Sequence, residues 1–168
     1  MSLVRPTPEI VSIAATRLAG TQADLDHLSR YSYRDHPFPG ERAMHGMLSH
    51  RSVLIFVSEK DGPIGFVLYP TPISHHLNSF GMGIALGYAG RGYAKAALRE
   101  FVARCPEFGI TDLNGYCRDD NAAMIRVLEA CGFQHVAGFR DPLDSRALHY
   151  RHPLHAEEGG NAHGHAAQ

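Results

Sequence analysis

Residues 87–98 read GYAGRGYAKAAL. Three glycines fall within six positions, and an alanine-rich segment follows at once. A plain turn needs one glycine, or two at most. Glycine lets the backbone approach a ligand closely. The first turn of a helix carries free N–H groups and the positive end of the helix dipole, so a glycine loop opening a helix attracts phosphate. Gly90 and Gly92 supply the approach, Arg91 adds a cation, and Lys95 and Arg99 lie one and two turns further on. The same stretch also has a plain reading, a tight connection that needs glycine and binds nothing.

The flanks place this loop between a strand and a helix. Residues 80–86 read as a strand with Gly81 and Gly83 inside it, and interior glycines mark a bulge or a close backbone approach. Downstream, Ala94, Ala97, Leu98, Phe101, Val102 and Cys105 share one helical face, which Pro106 ends. Upstream, residues 53–58 and 64–69 form a hairpin about Asp61-Gly62. Residues 9–18 are read as a first strand, 23–33 and 41–49 as helices, and 34–40 and 70–79 as loops. Residues 110–117 are a strand, Asn121 caps a helix that Gly132 closes, and 133–139 and 147–151 are two last strands. The pattern is a mixed sheet flanked by helices, α/β or α+β.

The length of 168 residues suits one domain, taken as residues 1–154. Residues 155–168 are poor in large apolar side chains and are expected to be a disordered tail; their histidines sit in no fixed geometry for a metal. Lys+Arg 16 against Asp+Glu 17 points to neither nucleic acid nor an acidic scaffold. Three cysteines without CxxC indicate neither a disulfide framework nor a zinc ribbon. Residues 1–3 are read as a possible expression remnant. No apolar run reaches membrane-spanning length, so a cytoplasmic protein with no membrane partner is the default.

Familiar phosphate motifs do not fit. A Walker loop needs Lys after its last glycine, where Tyr93 stands, and a Rossmann fingerprint needs a third glycine where Lys95 stands. GxSxG and HExxH are absent. An unrelated α/β nucleotide binder is therefore disfavoured. One family matches. Residues 89–94, AGRGYA, resemble the pyrophosphate loop of the Gcn5-related N-acetyltransferases (GNAT), [QR]-x-x-G-x-[GA]. Residues 121–133, NAAMIRVLEACGF, are similar to a second signature, N-x-x-[AS]-x(7)-G-F. The resemblance covers residues 53–151, and its G-R-G-Y-A wording looks closest to the ribosomal-protein and N-terminal acetyltransferase branch.

The resemblance implies a largely antiparallel central sheet and acetyl-CoA as cosubstrate, with no metal. A bulged strand 80–86 would splay from the next one. Main chain near Gly83 and Ile84 would hold the pantetheine arm and polarise the thioester. The N–H groups of Arg91, Gly92, Tyr93 and Ala94 would hold the pyrophosphate beside Ala89, and Asn121 would line the arm, cap the helix, or do both. Two departures matter: Ala89 replaces Gln or Arg, and Leu128 stands where many relatives carry a tyrosine acid. The implied reaction acetylates a primary amine, the α-amine of a peptide or protein or a small-molecule amine, by direct attack. The alternative is a non-catalytic acyl-CoA sensor or interaction module. A homodimer is a further expectation, since dimers are common in this fold.

An α-amine is neutral about one time in ten at pH 7 and a lysine amine about once in 2,500, so an α-amine needs only a modest base. Tyr116 and His76 are the candidates for it. Tyr116 faces either the core or the acceptor cleft, depending on register. His76, like His75, sits in the loop before the strand at 80–86. The aromatic loop at 31–40 is a candidate lid.

Overall fold

The structure is a computed structural model that describes residues 1–30, 38, 40–69 and 78–154. Elements run β1 (Ser2–Val4), α1 (Pro8–Ala19), α2 (Gln22–Ser29), α3 (Glu41–Leu48), β2 (Val53–Ser58), β3 (Gly62–Leu68), β4 (Ser79–Ile84), α4 (Tyr93–Arg104), β5 (Asp112–Arg118), α5 (Ala122–Ala130), β6 (Gln134–His135) and β7 (Ala147–Pro153). Short 3₁₀ turns, Leu86–Tyr88 and Cys105–Phe108, flank α4. The seven strands form one sheet in the order β1-β2-β3-β4-β5-β7-β6. Neighbours are antiparallel except β4 and β5, which are parallel.

Helices cover both faces, which is why β2 reads as the unbroken apolar run VLIF rather than an alternation. Val53, Ile55 and Phe66 pack with Val11, Ala14, Ala15 and Leu18 of α1 and with Met44 and Leu48 of α3. Leu54, Phe56, Ile64 and Phe80 pack with Ala97, Leu98 and Phe101 of α4 and with Leu128 of α5. Among the described residues no helix is long and apolar enough to cross a membrane.

Several elements differ from the sequence expectation. Residues 9–18 form helix α1, not a strand. Thr7 caps it, accepting from the Ile10 N–H, and Pro8 opens it, while Val11, Ala14, Ala15 and Leu18 are buried at helical spacing. The N-terminal residues take part in the fold: Ser2, Leu3 and Val4 pair with β2, and Leu3 is in the core. The Leu3 N–H donates to Glu100 Oε1 at 2.6 Å and the Leu3 carbonyl accepts from Arg104 at 2.6 Å, tying β1 to α4. The last hairpin is shorter on one side. Gln134 and His135 pair with β7, the Val136 N–H adds one bond to the His149 carbonyl at 2.9 Å, and Gly138 follows with a left-handed φ of 78. The tail at 155–168, the segments 31–37 and 70–77, and Pro39 lie outside the described residues.

His152 on β7 packs edge-on against Phe133 with ring centroids 5.0 Å apart, and its buried Nδ1 has no hydrogen-bond partner among the described residues. Burial pushes its pKa down. The unfolded chain therefore binds more protons than the fold below the ordinary histidine value of about 6.5. The contribution is fully present above that value and is lost as pH falls from it through the lowered folded value. Urea midpoints should drop as pH falls below about 6.5, and the drop should shrink in His152→Leu. An equal drop in that variant would assign the loss to other groups.

Candidate functional site

The site begins where two parallel strands part. β4 and β5 pair only at Ser79–Asn114 and Phe80–Gly115. Beyond Phe80 the strands no longer pair, and a cleft of about 800 Å³ opens there, bounded by β4, the glycine loop, α2 and α5.

Main-chain direction along β4 follows from two bonds. The Ala85 N–H donates to the Ile64 carbonyl on β3, and the Asn78 carbonyl accepts from the Asn114 N–H on β5. Successive residues of a strand turn their N–H and C=O groups to opposite neighbours. Residues 81, 83 and 85 therefore address β3, while 78, 80, 82 and 84 address β5. Past Phe80 there is no β5 to receive them, so the main chain of Met82 and Ile84 looks into the gap. Gly83 lines the cleft, but its own N–H and C=O point to β3.

The expected bulge in this strand does not occur. β4 pairs with β3 in one unbroken register from Gly81 to Ile84, and the register shift lies instead at Phe56/Val57 between β2 and β3. Gly83 answers to the other reading of an interior glycine, close approach. A Cβ there would stand 2.6 Å from Phe66 Cε1 and 3.1 Å from Leu28 Cδ2, so α2 lies directly on this strand.

At the far end of the cleft the chain makes the turn that the glycines require. Gly90 (φ 74) and Gly92 (φ 82) are both left-handed, with open space where a Cβ would be. Gly92 is the N-cap of α4 and offers no side chain to the first turn, and the first helical bond runs from Ala96 N–H to the Gly92 carbonyl. The N–H groups of Tyr93, Ala94 and Lys95 are left for a ligand. Ala89, Gly90, Gly92, Tyr93 and Ala94 all line the cleft. Arg91 does not. It is exposed, with its guanidinium 5.7 Å from the Tyr88 ring, which in turn meets Tyr93 edge-on at 5.9 Å.

Asn121 lines the opposite wall, and its Oδ1 accepts from the Met124 N–H at 3.0 Å. It caps α5 while also bordering the cleft. Ala123, Met124 and Val127 of α5 face the cleft, whereas Leu128 is fully buried and its Cδ2 lies 3.0 Å from where a Gly115 Cβ would be. The position of the absent tyrosine acid is thus packed against β5.

Tyr116 is half-buried on β5 and does not line the cleft. Its ring stacks flat on His149 at 4.7 Å and tilts against Phe139 at 5.4 Å. His149 Nε2 donates to Asn114 Oδ1 at 2.7 Å. His75 and His76 lie outside the described residues. Burial pushes the Cys105 and Cys117 thiols up to about 12, so neither supplies a thiolate near neutral pH. Sequence reasoning missed Met82 and His27. His27 lines the cleft from α2, with Nε2 3.2 Å from the Ile84 carbonyl. Nothing local in the sequence marks it, and Met82 stands out only once the pairing of β4 with β3 and β5 is known.

The profile of the Acetyltransferase (GNAT) domain family matches residues 14–134. The chain belongs to this family. Solved GNAT structures share its fold at low identity. An acetyltransferase of the GNAT family from Bacillus anthracis has a TM-score of 0.69 at 13% identity, over 90% of this chain and 93% of that one. The microcin C7 self-immunity acetyltransferase MccE, in complex with acetyl-CoA and AMP, has 0.66 at 14%, over 89% of each chain. AAC(6')-Ib, in complex with ribostamycin and coenzyme A, has 0.65 at 15%, over 90% and 92%. No curated protein matches the sequence. These GNAT neighbours are diverse and do not single out the ribosomal-protein and N-terminal acetyltransferase branch.

Proposed function

We propose that this GNAT domain transfers the acetyl group of acetyl-CoA to a primary amine by direct attack in a ternary complex. The observation that carries the reading is the parting of β4 and β5. It leaves the main chain of Met82 and Ile84 at one end of a cleft whose other end is a cluster of unclaimed N–H groups at Tyr93, Ala94 and Lys95. The first fits an amide-bearing arm and a thioester carbonyl; the second fits a pyrophosphate. Solved proteins of the same fold were captured with coenzyme A or acetyl-CoA, which supports the same occupant.

The acceptor proposed first is an α-amine of a peptide or protein, because it is neutral far more often than a lysine amine at pH 7. Small-molecule amines come next, in line with the ribostamycin held by AAC(6')-Ib. Burial of Leu128 in place of a tyrosine acid favours one second reading, a domain that binds acyl-CoA without turnover. Release of CoA thiol tests both. The full chain with acetyl-CoA and, in turn, a tripeptide, a polyamine and an aminoglycoside should release thiol with at least one of them. Tight acetyl-CoA binding with no release from any would favour the sensor.

A further inference from the structure

We infer, on the acetyl-transfer reading above, that His27 is the residue that takes the proton from the attacking amine. Among the described residues that line the cleft, the titratable side chains are His27, Tyr88, Tyr93, Lys95, Arg126 and Glu129. Tyr88 and Tyr93 pack on each other at the glycine loop. Lys95, Arg126 and Glu129 belong to the opposite end. There Cys131 Sγ contacts the Lys95 carbonyl at 3.6 Å and Arg99 donates to the Ala130 carbonyl at 3.2 Å, which joins α4 to the end of α5. Of these described side chains, His27 alone bonds to the exposed edge of β4, at the Ile84 carbonyl, where the reading above puts the thioester.

Its setting is preorganised. A capping box holds the start of α2, the Asp24 N–H donating to Thr21 Oγ1 at 3.2 Å while the Thr21 N–H donates to Asp24 Oδ2 at 3.1 Å. Leu28 seats the same helix against Gly83. The Ile84 carbonyl can only accept, so the ring nitrogen facing it, Nε2, carries the hydrogen. The lone pair is then on Nδ1. The carbonyl has a second lone pair and can still accept from an arm lying in the gap.

The step balances with no further reactant. The neutral amine nitrogen bonds to the thioester carbonyl carbon, and its proton passes to His27 Nδ1, directly or through one water. The tetrahedral intermediate collapses with cleavage of the C–S bond. The departing thiolate takes the proton from the imidazolium, leaving CoA thiol, an acetamide and a neutral ring.

His27→Gln and His27→Ala in the full chain test the role, with acetyl-CoA and saturating glycinamide as a minimal α-amine. Glutamine can still donate to the Ile84 carbonyl but cannot take a proton. Both variants should bind acetyl-CoA as the wild type does, measured by calorimetry, and both should lose about 100-fold or more in kcat. Added imidazole should restore part of the rate in His27→Ala. A glutamine variant with wild-type kcat would reduce His27 to a donor that positions β4 and overturn the role. So would two fully active variants, or a wild type that binds acetyl-CoA yet gives no release with glycinamide. A wild type that does not bind acetyl-CoA would instead sink the acetyl-transfer reading on which the role rests.

Discussion

Phe101→Ala should destabilise the fold by about 3–5 kcal/mol, the cost of a large aromatic cavity in a packed core. Phe101 is 2% exposed, and its ring lies 6.0 Å from Phe80 of β4 and 6.0 Å from Tyr69 at the end of β3. It therefore joins α4, the helix opened by the glycine loop, to the strand that forms the cleft edge. Losing it removes apolar burial and favourable tilted ring pairs together. The midpoint of urea unfolding reads the effect. A loss below about 1 kcal/mol would mean that the site relaxes or that α4 does not depend on this contact.

Gly92→Asp should leave the fold nearly intact and weaken acetyl-CoA binding about 30- to 1,000-fold. Aspartate tolerates a left-handed backbone better than most residues and is a favoured N-cap, and the space at a Gly92 Cβ is open, so the strain should stay near 1 kcal/mol. The carboxylate would cap the N–H groups that the pyrophosphate needs and set a negative charge beside it. Like charges about 4 Å apart repel by about 4 kcal/mol at the effective dielectric near a protein surface, and solvent brings that to about 2–4 kcal/mol. Calorimetry with acetyl-CoA gives the affinity, and urea unfolding controls for the fold. Unchanged affinity would place the phosphates elsewhere.

The two predictions draw on features of different legibility. The glycine loop was readable because a left-handed backbone at Gly90 and Gly92 is a local demand with few solutions. The faces of α4 and α5, and the hairpin at Asp61-Gly62, were readable because their periodicity is regular. Helix α1 was misread although its signals were present. Thr7-Pro8 is a cap followed by a first-turn proline, but a short apolar run suits a strand as well as it suits the helical spacing of Val11, Ala14, Ala15 and Leu18. Strand β1 has three residues and takes its place from β2 and α4, which no local pattern announces.

Within the site, what escaped was set by register and tertiary packing. Which β4 residues present main chain to the gap depends on how β3 and β5 pair with it, so Gly83 and Met82 could not be told apart beforehand. His27 acquires significance only because α2 settles on Gly83. The sequence allows Tyr116 either core or cleft, and register gives it a stack on His149 outside the cleft lining.

Thermal unfolding of the full chain with and without acetyl-CoA tests the central claim most directly. Ligand at 100 times its Kd should stabilise by about 2.7 kcal/mol, which for a chain of this length raises Tm by about 5–10 °C. A shift of that order, reduced to less than half in Gly92→Asp, would establish the cleft between β4 and β5 as the acetyl-CoA site. No shift at millimolar acetyl-CoA would contradict the account, leaving GYAGRGYAKAAL as a turn that binds no acyl-CoA.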